Sequence, residues 1–249
     1  NYNDIDGLKK IIEEKNIGIV KMEVERNTPQ KNNFLKEVRK LCDKKKIVLI
    51  FDECTSGFRS CFGGLHLKYK VNPDIAILGK ALGNGYAINA IIGKKEIMES
   101  INRSFVSSTF WTERIGSVAA LETLNLMRKL KSWEIISKIG KKIKKKWLKL
   151  GSENKLKIKI QGLDALPNFY FESFNHNLYK TYISQEMIKK KILASNVVYT
   201  CIDHSDQNLN KYFEILNDVF KKIKKCENEE DNIYNLLNTK EAITGLRGK

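Results

Sequence analysis

Apolar and polar residues alternate along this chain in blocks that change period from helical to extended and back. Over residues 6–14 the spacing is helical, with Leu8, Ile11 and Ile12 on one stripe and Asp6 placed to cap the N-terminus. Residues 17–22 read as a strand. Beyond a polar loop with Pro29, the residues Phe34, Leu35, Val38, Leu41 and Cys42 fall on one face of a second helix. The run 47–51, Ile-Val-Leu-Ile-Phe, is short, unbroken and rich in β-branched residues, a pattern that predicts a strand buried on both faces. A Gly-containing loop over 55–64, a strand over 74–78, a loop over 80–85 and a strand over 87–92 complete an alternation that predicts an α/β sheet with right-handed crossovers.

After Thr109 the character changes. Helical patterns fill 115–150, then short strands over 155–160, 168–172 and 197–202 are separated by helices over 182–193 and 209–223, with a weak helical patch at 233–237. The expected organisation is therefore a mostly parallel sheet flanked by helices in residues 1–130, followed by a smaller α+β domain in 131–249.

The 249 residues are 42% hydrophobic and 30% charged, with 15 Gly and 3 Pro, which excludes disordered, collagen-like and coiled-coil classes. No apolar run approaches the about 20 residues that a bilayer crossing needs, so no membrane association is expected. The first residues lack the basic and then apolar run of a signal peptide. Five cysteines without a C-x-x-C pair support neither a disulfide framework nor a cysteine zinc site. A cytoplasmic protein with reduced thiols is expected, an upstream targeting segment remaining open. The net charge of +16 comes mainly from lysine runs at 44–46, 141–146, 189–191 and 221–225 that lie in or beside helical patterns. They read as solvated helix faces, and with no recognised binding motif no nucleic-acid partner is expected. His66, His176 and His204 lack metal-ligand spacing, so no metal is expected, and Trp111, Trp133 and Trp147 read as packing or interface residues.

Ligands of open α/β sheets gather at the carboxyl ends of the strands. Two chemically distinctive residues stand there. Asp52 ends the most hydrophobic strand, where a carboxylate needs a cationic partner or serves simply as a turn acid. Lys80 follows the next strand in Gly79-Lys80-Ala81-Leu82-Gly83-Asn84-Gly85, where partial desolvation frees an amine for imine chemistry unless the side chain is merely a solvated surface lysine. An acid and a lysine at adjacent strand ends match what pyridoxal phosphate requires, a lysine for the imine and a carboxylate for the pyridinium nitrogen.

With the motifs 50–59 (Ile-Phe-Asp-Glu-Cys-Thr-Ser-Gly-Phe-Arg), Pro73-Asp74, the 79–85 segment and Ser107-Ser108-Thr109, the chain resembles the class III aminotransferases, and among them the glutamate-1-semialdehyde 2,1-aminomutase group. The resemblance implies the aspartate-aminotransferase-like fold (fold type I), residues 1–130 being the C-terminal portion of a large cofactor-binding domain. It implies pyridoxal 5'-phosphate as cofactor and a homodimer with shared active sites, acting on small-molecule amine and carbonyl substrates. By the same resemblance Lys80 holds the cofactor as an internal aldimine and then moves a proton, and Asp52 pairs with the pyridinium. Cys54 stands where the family usually has a valine against one ring face, as an apolar contact or else a free thiol in the site. Thr109 matches a threonine that binds the cofactor phosphate of the neighbouring subunit, or it caps the helix that begins near Ile115. Glu23 matches a strand-end glutamate near the site.

Departures from the family pattern bear on substrate. Val24 stands where relatives have proline, and 111–114 (Trp-Thr-Glu-Arg) replaces a Gly-Asn pair. An aminotransferase acting on a sugar or polysaccharide-pathway carbonyl is the alternative to an aminomutase-like enzyme. Family chains are also longer, and this one reads as starting midway through the large domain, without the phosphate cradle and the ring-stacking aromatic. A truncated, non-catalytic homologue acting as a basic binding module is the reading from another class.

Overall fold

The computed structural model of the chain describes residues 1–110 and 112–243. It divides into two compact units, Asn1–Ile135 and Ile136–Lys249. The change from one to the other falls inside a helix.

The first unit opens with α1 (Ile5–Glu14), β1 (Ile19–Glu23), α2 (Phe34–Lys45) and β2 (Val48–Glu53). The cap of α1 is Asp4, not the expected Asp6, because its carboxylate is the one that reaches the Gly7 amide, at 2.8 Å. The apolar face of α2 is formed as its spacing requires, with Phe34, Leu35, Val38 and Cys42 buried. The short α3 (His66–Tyr69) then leads to β3 (Ile75–Leu78), a 3-10 turn over Lys80–Leu82 and β4 (Ala90–Gly93).

These strands form one sheet in the order β1-β2-β3-β4. The first two pairings are parallel, with Glu23 opposite Asp52 and Asp52 opposite Ile77. The last is antiparallel, with Leu78 opposite Ala90. No helix of the length a parallel crossover uses separates β3 from β4, so the chain turns back on itself there. The sheet departs in a second way from the sequence reading. In β2 the residues Leu49, Phe51 and Glu53 are buried, whereas Val48, Ile50 and Asp52 are half-buried. One face is packed; the other is left partly open by the described residues, so β2 alternates where burial on both faces was expected. The unit continues through α4 (Lys95–Met98), an exposed 3-10 segment over Glu99–Arg103, and α5 (Ile115–Leu130), before α6 (Ser132–Glu153) begins.

The second unit contains most of α6, a hairpin of β5 (Ile158–Gln161) and β6 (Asn168–Phe171), then α7 (His176–Lys189), α8 (Asp206–Glu227) and the short α9 (Ile233–Leu236). Trp147, Phe169, Phe171, Tyr179, Tyr182 and Phe220 are buried together in its core. The indole of Trp147 donates to the Tyr212 hydroxyl at 2.9 Å, so its one polar atom is satisfied inside apolar packing. Residues 197–202 form no strand of their own: Val197 makes an isolated bridge to Asn168, the Val198 and Thr200 amides donate to Pro167 O at 3.0 Å and Ala165 O at 3.3 Å, and the chain then turns at Cys201, whose amide donates to His204 Nδ1 at 3.0 Å. Three lysines of the 141–146 run meet acids nearby, Lys142 with Asp206 at 2.5 Å and Lys141 and Lys144 with Asp164 at 3.7 and 3.0 Å.

Trp133 packs its ring 5.6 Å from that of Phe62. Trp111 lies outside the described residues. All five cysteines are free, and no cluster of metal-ligating side chains occurs among the described residues. No described helix is long and apolar enough to cross a membrane.

Candidate active site

Parallel pairing sets the positions of the two distinctive residues. Asp52 opposes Ile77, and Lys80 stands three residues further along the neighbouring segment, just past the carboxyl end of β3. Both therefore lie at the same edge of the sheet. The turn after β3 is held from below by apolar packing, with Phe58, Leu78, Leu82 and Ala120 buried together. Lys80 itself adopts φ +45°, in the left-handed region that side chains other than glycine rarely occupy. Such strain persists only where surrounding structure imposes it.

Gly79 explains part of the constraint. A Cβ there would lie 2.2 Å from Asn89 Oδ1 and 3.3 Å from Cys54 Sγ. The backbone leading into Lys80 thus passes closely between Cys54 and Asn89, and a side chain there would have to displace Asn89. The Lys80 amine donates to Thr55 Oγ1 at 2.7 Å, and it has no ion pair among the described residues. Thr55 itself is buried, with 6% of its surface exposed.

Asp52 is partly open. Its Oδ2 lies 3.0 Å from Lys21 Nζ, and its Oδ1 accepts from the Cys54 amide at 3.2 Å. Burial pushes the Asp52 carboxyl up, but the hydrogen bonds from Lys21 and Cys54 outweigh it and hold the group below the ordinary aspartate range. Asp52 is therefore a carboxylate at neutral pH. The neighbouring Cys54 thiol is pushed up, first by burial and then by its hydrogen bond and proximity to Asp52. It stays a protonated, poorly nucleophilic thiol, which fits an apolar contact better than a reactive group.

Glu23 stands opposite Asp52 on β1 and faces Arg26 at 3.6 Å. Thr109 is exposed in the turn before α5 and shares no hydrogen bond with the residues above. It does not cap α5 either, since Arg114 is the N-cap and no side chain caps that helix. The structure brings Asp52, Cys54 and Lys80 together, puts Glu23 on the adjoining strand and leaves Thr109 apart. Two members of the cluster went unread in the sequence, Lys21 and Thr55. Lys21 was visible in principle, since residues 21 and 23 share a face of a strand that pairs with β2; Thr55 depends on how the following loop folds back.

Compared with known proteins, residues 27–199 match the family model of aminotransferase class III. The chain belongs to the class III aminotransferase family. It is 31% identical over 240 residues to the 3-aminobutyryl-CoA aminotransferase of Cloacimonas acidaminovorans, covering 90% of this chain and 58% of that protein. It is 28% identical over 276 residues to the glutamate-1-semialdehyde 2,1-aminomutase of Campylobacter hominis, covering 100% of this chain and 60% of that protein. The class III chain thus spans about three fifths of the length of these curated relatives. Among solved structures, the PLP internal aldimine form of the FumI protein of a Sphingopyxis species superposes with a TM-score of 0.83 at 20% identity, over 95% of this chain and 60% of that one. An omega-transaminase from Sphaerobacter thermophilus gives 0.77 at 20% identity, over 90% and 56%. The fold is that of these transaminases, fold type I, as expected.

Proposed function

We propose that this chain is the lysine-bearing part of a pyridoxal-phosphate-dependent aminotransferase. The observation that carries the reading is the placement of Lys80 and Asp52 at the carboxyl ends of adjacent parallel segments, one an amine without an ion pair among the described residues and the other a carboxylate held ionised. Pyridoxal phosphate fits this donor set. When bound it supplies an electron-withdrawing ring that stabilises negative charge on the substrate carbon.

The roles of the chain's residues follow from their positions. Lys80 Nζ would hold the cofactor and, once displaced by a substrate amine, carry the proton that leaves the substrate carbon. Asp52 would pair with the ring nitrogen, exchanging its contact with Lys21 for one with the pyridinium. Cys54, protonated and beside Gly79, would pack against a ring face. Glu23 would act from the neighbouring strand by setting the charge around Asp52.

The substrates we propose are small-molecule amines and an aldehyde or ketone, as the names of the relatives suggest for those proteins. An aminomutase-like reaction is favoured, with a sugar-linked carbonyl as the alternative. We further propose a cytoplasmic homodimer in which Thr109 reaches the cofactor phosphate of the other subunit. Its exposure, together with that of Phe105, Phe110, Ile115 and Val118, supports this, because apolar side chains so close in sequence gain by being covered. We read the first unit as the C-terminal portion of the large domain and the second as the small domain.

The test is absorbance with added pyridoxal phosphate, followed by borohydride reduction and peptide mapping, on the chain, on Lys80→Ala and on a chain extended upstream. A yellow species trapped on Lys80 and missing from Lys80→Ala is the expected result. Failure of both the shorter and the longer protein to label Lys80 overturns the proposal. Salt-sensitive binding of polyanions without any such labelling would favour the basic-module reading instead.

A further inference from the structure

The loop between β2 and α3 carries an arrangement that the roles above leave unused. Glu53, the neighbour of Asp52, has no exposed surface. Its carboxylate accepts from Ser56 Oγ at 2.9 Å, from the amide of Leu65, and from the amide of His66 at 3.2 Å and its Nδ1. One side chain therefore ties together the start and the end of the loop. Gly64 makes the closure possible, because a Cβ there would lie 2.6 Å from Glu53 Oε1. Within the closed loop the Gly57 amide donates to Glu53 O at 2.9 Å, and Arg59 Nε donates to Thr55 O at 2.7 Å. The backbone on both sides of Thr55 is pinned, and its hydroxyl is the group that meets Lys80.

We propose that Thr55 is a positioning residue for Lys80: its hydroxyl docks the Nζ amine at the sheet edge, and the Glu53 clamp fixes the hydroxyl in place. The inference rests on the reading of Lys80 as the cofactor lysine. The chemistry of the contact suits that task. A lysine that alternates between a covalent bond and free proton transfer has to be returned to the same spot each time it is released. A carboxylate in the place of Thr55 would bind the ammonium form and hold back the lone pair. A hydroxyl accepts one N–H without adding charge, which fixes the direction of the amine and leaves its lone pair pointing elsewhere. The left-handed backbone of Lys80 is explained in the same way, since the turn must aim the side chain back toward a loop on the neighbouring strand.

The test does not depend on the cofactor. The chain carries many lysines, so reductive methylation with formaldehyde and cyanoborohydride, read by mass spectrometry, gives the labelling of Lys80 relative to exposed lysines of the same molecule. Thr55→Val removes the hydroxyl at nearly constant shape, Thr55→Ala removes it without the extra methyl, and Thr55→Ser keeps it. The expected result is a ratio raised roughly three- to tenfold in the Val and Ala variants, the range of one hydrogen bond, because the undocked amine is freed from the buried hydroxyl, and returned to the unaltered value in Thr55→Ser. Glu53→Gln raises the ratio as well, although its Thr55 is unaltered. Equal ratios in the unaltered, Val, Ala and Ser chains overturn the docking role, whatever pyridoxal phosphate does. Failure of pyridoxal phosphate to label Lys80 in both the unaltered chain and the chain extended upstream overturns the cofactor reading instead, and the methylation ratio still decides the role of Thr55.

Discussion

Asp52 and Glu53 are adjacent in the chain and leave β2 on opposite faces. One is partly open and pairs with Lys21 across the sheet; the other has no exposed surface and holds a loop shut. Two carboxylates side by side thus divide the work, one available to a ligand and one committed to the fold. Substitution separates them. Glu53→Gln turns an amide N–H toward backbone and side-chain donors that have no other acceptor among the described residues, and a buried group left unsatisfied in this way costs about 3 kcal/mol. Asp52→Asn breaks a half-exposed pair and costs less than about 1 kcal/mol. Urea unfolding at neutral pH checks both values. Equal losses would show that the division does not exist.

Asp74 performs a similar service between elements. Its carboxylate accepts from the Leu49 amide at 2.7 Å, from Arg39 Nη1 at 2.9 Å and from Lys94 Nζ at 2.7 Å, joining β2, α2 and the end of β4. Burial pushes this carboxyl up, and the hydrogen bonds from Leu49, Lys94 and Arg39 more than reverse that, leaving it below its ordinary 3.8. The folded state therefore binds the proton more weakly than the unfolded chain. The stabilisation is complete above the ordinary value and is lost as pH falls from there through the folded one. Asp74→Asn is expected to lower stability at neutral pH by about 2 kcal/mol and to flatten the acid limb below pH 3.8. Urea midpoints measured down the acid range decide it; an unaltered limb in the variant would mean that other carboxylates carry the acid loss.

Gly79 offers a local test of how tightly the turn is built. In Gly79→Ala the new methyl meets Asn89 Oδ1 at 2.2 Å, the far end of an exposed and movable side chain, while Cys54 Sγ at 3.3 Å is less free to give. The fold should tolerate the change at a cost of about 1 kcal/mol, but the path into Lys80 shifts. Borohydride trapping at Lys80 is expected to fall several-fold and to recover in part when Asn89→Ala is added. Additive losses in the double variant would show that the two residues do not share the space.

How much of this was legible in the sequence depends on what sets each feature. The face of α2 and the position of β2 follow from local periodicity, and both emerged at nearly the expected residues. Asp52 and Lys80 were singled out because strand ends are where such residues gain meaning, and the structure sets both at one such edge. Where distance along the chain decides, the pattern was silent. The antiparallel return of β4 and the loose pairing of residues 197–200 with 165–168 depend on partners, not on propensity. The choice of Asp4 over Asp6 as cap turned on which carboxylate reaches the Gly7 amide. The double burial expected for β2 required a cover that the described residues do not provide. Thr55 reads as one hydroxyl among several until Glu53 folds the loop and brings it to Lys80.

The pair of Lys21 and Asp52 yields the last expectation. The register sets Lys21 opposite Ile50 and Glu23 opposite Asp52, so these side chains project from the same, more open face of the sheet. The ammonium at 3.0 Å is the first of the contacts that outweigh burial and keep Asp52 acidic. Replacing it in Lys21→Met removes that contact and leaves the Cys54 amide, so the Asp52 carboxyl moves up toward its ordinary value. Because Lys21 is 55% exposed, the loss of stability stays below about 0.5 kcal/mol. The sign of the pH effect follows: the small contribution of the pair is present above the ordinary aspartate value and fades as pH falls through the folded one. Carbon-13 NMR titration of the Asp52 carboxyl in the unaltered chain and in Lys21→Met measures the displacement directly. An upward shift identifies Lys21 as the cation that holds this carboxylate, the contact that a ring nitrogen would replace in the proposed function; an unchanged titration would transfer that role to Cys54, which meets Asp52 through its amide and its thiol.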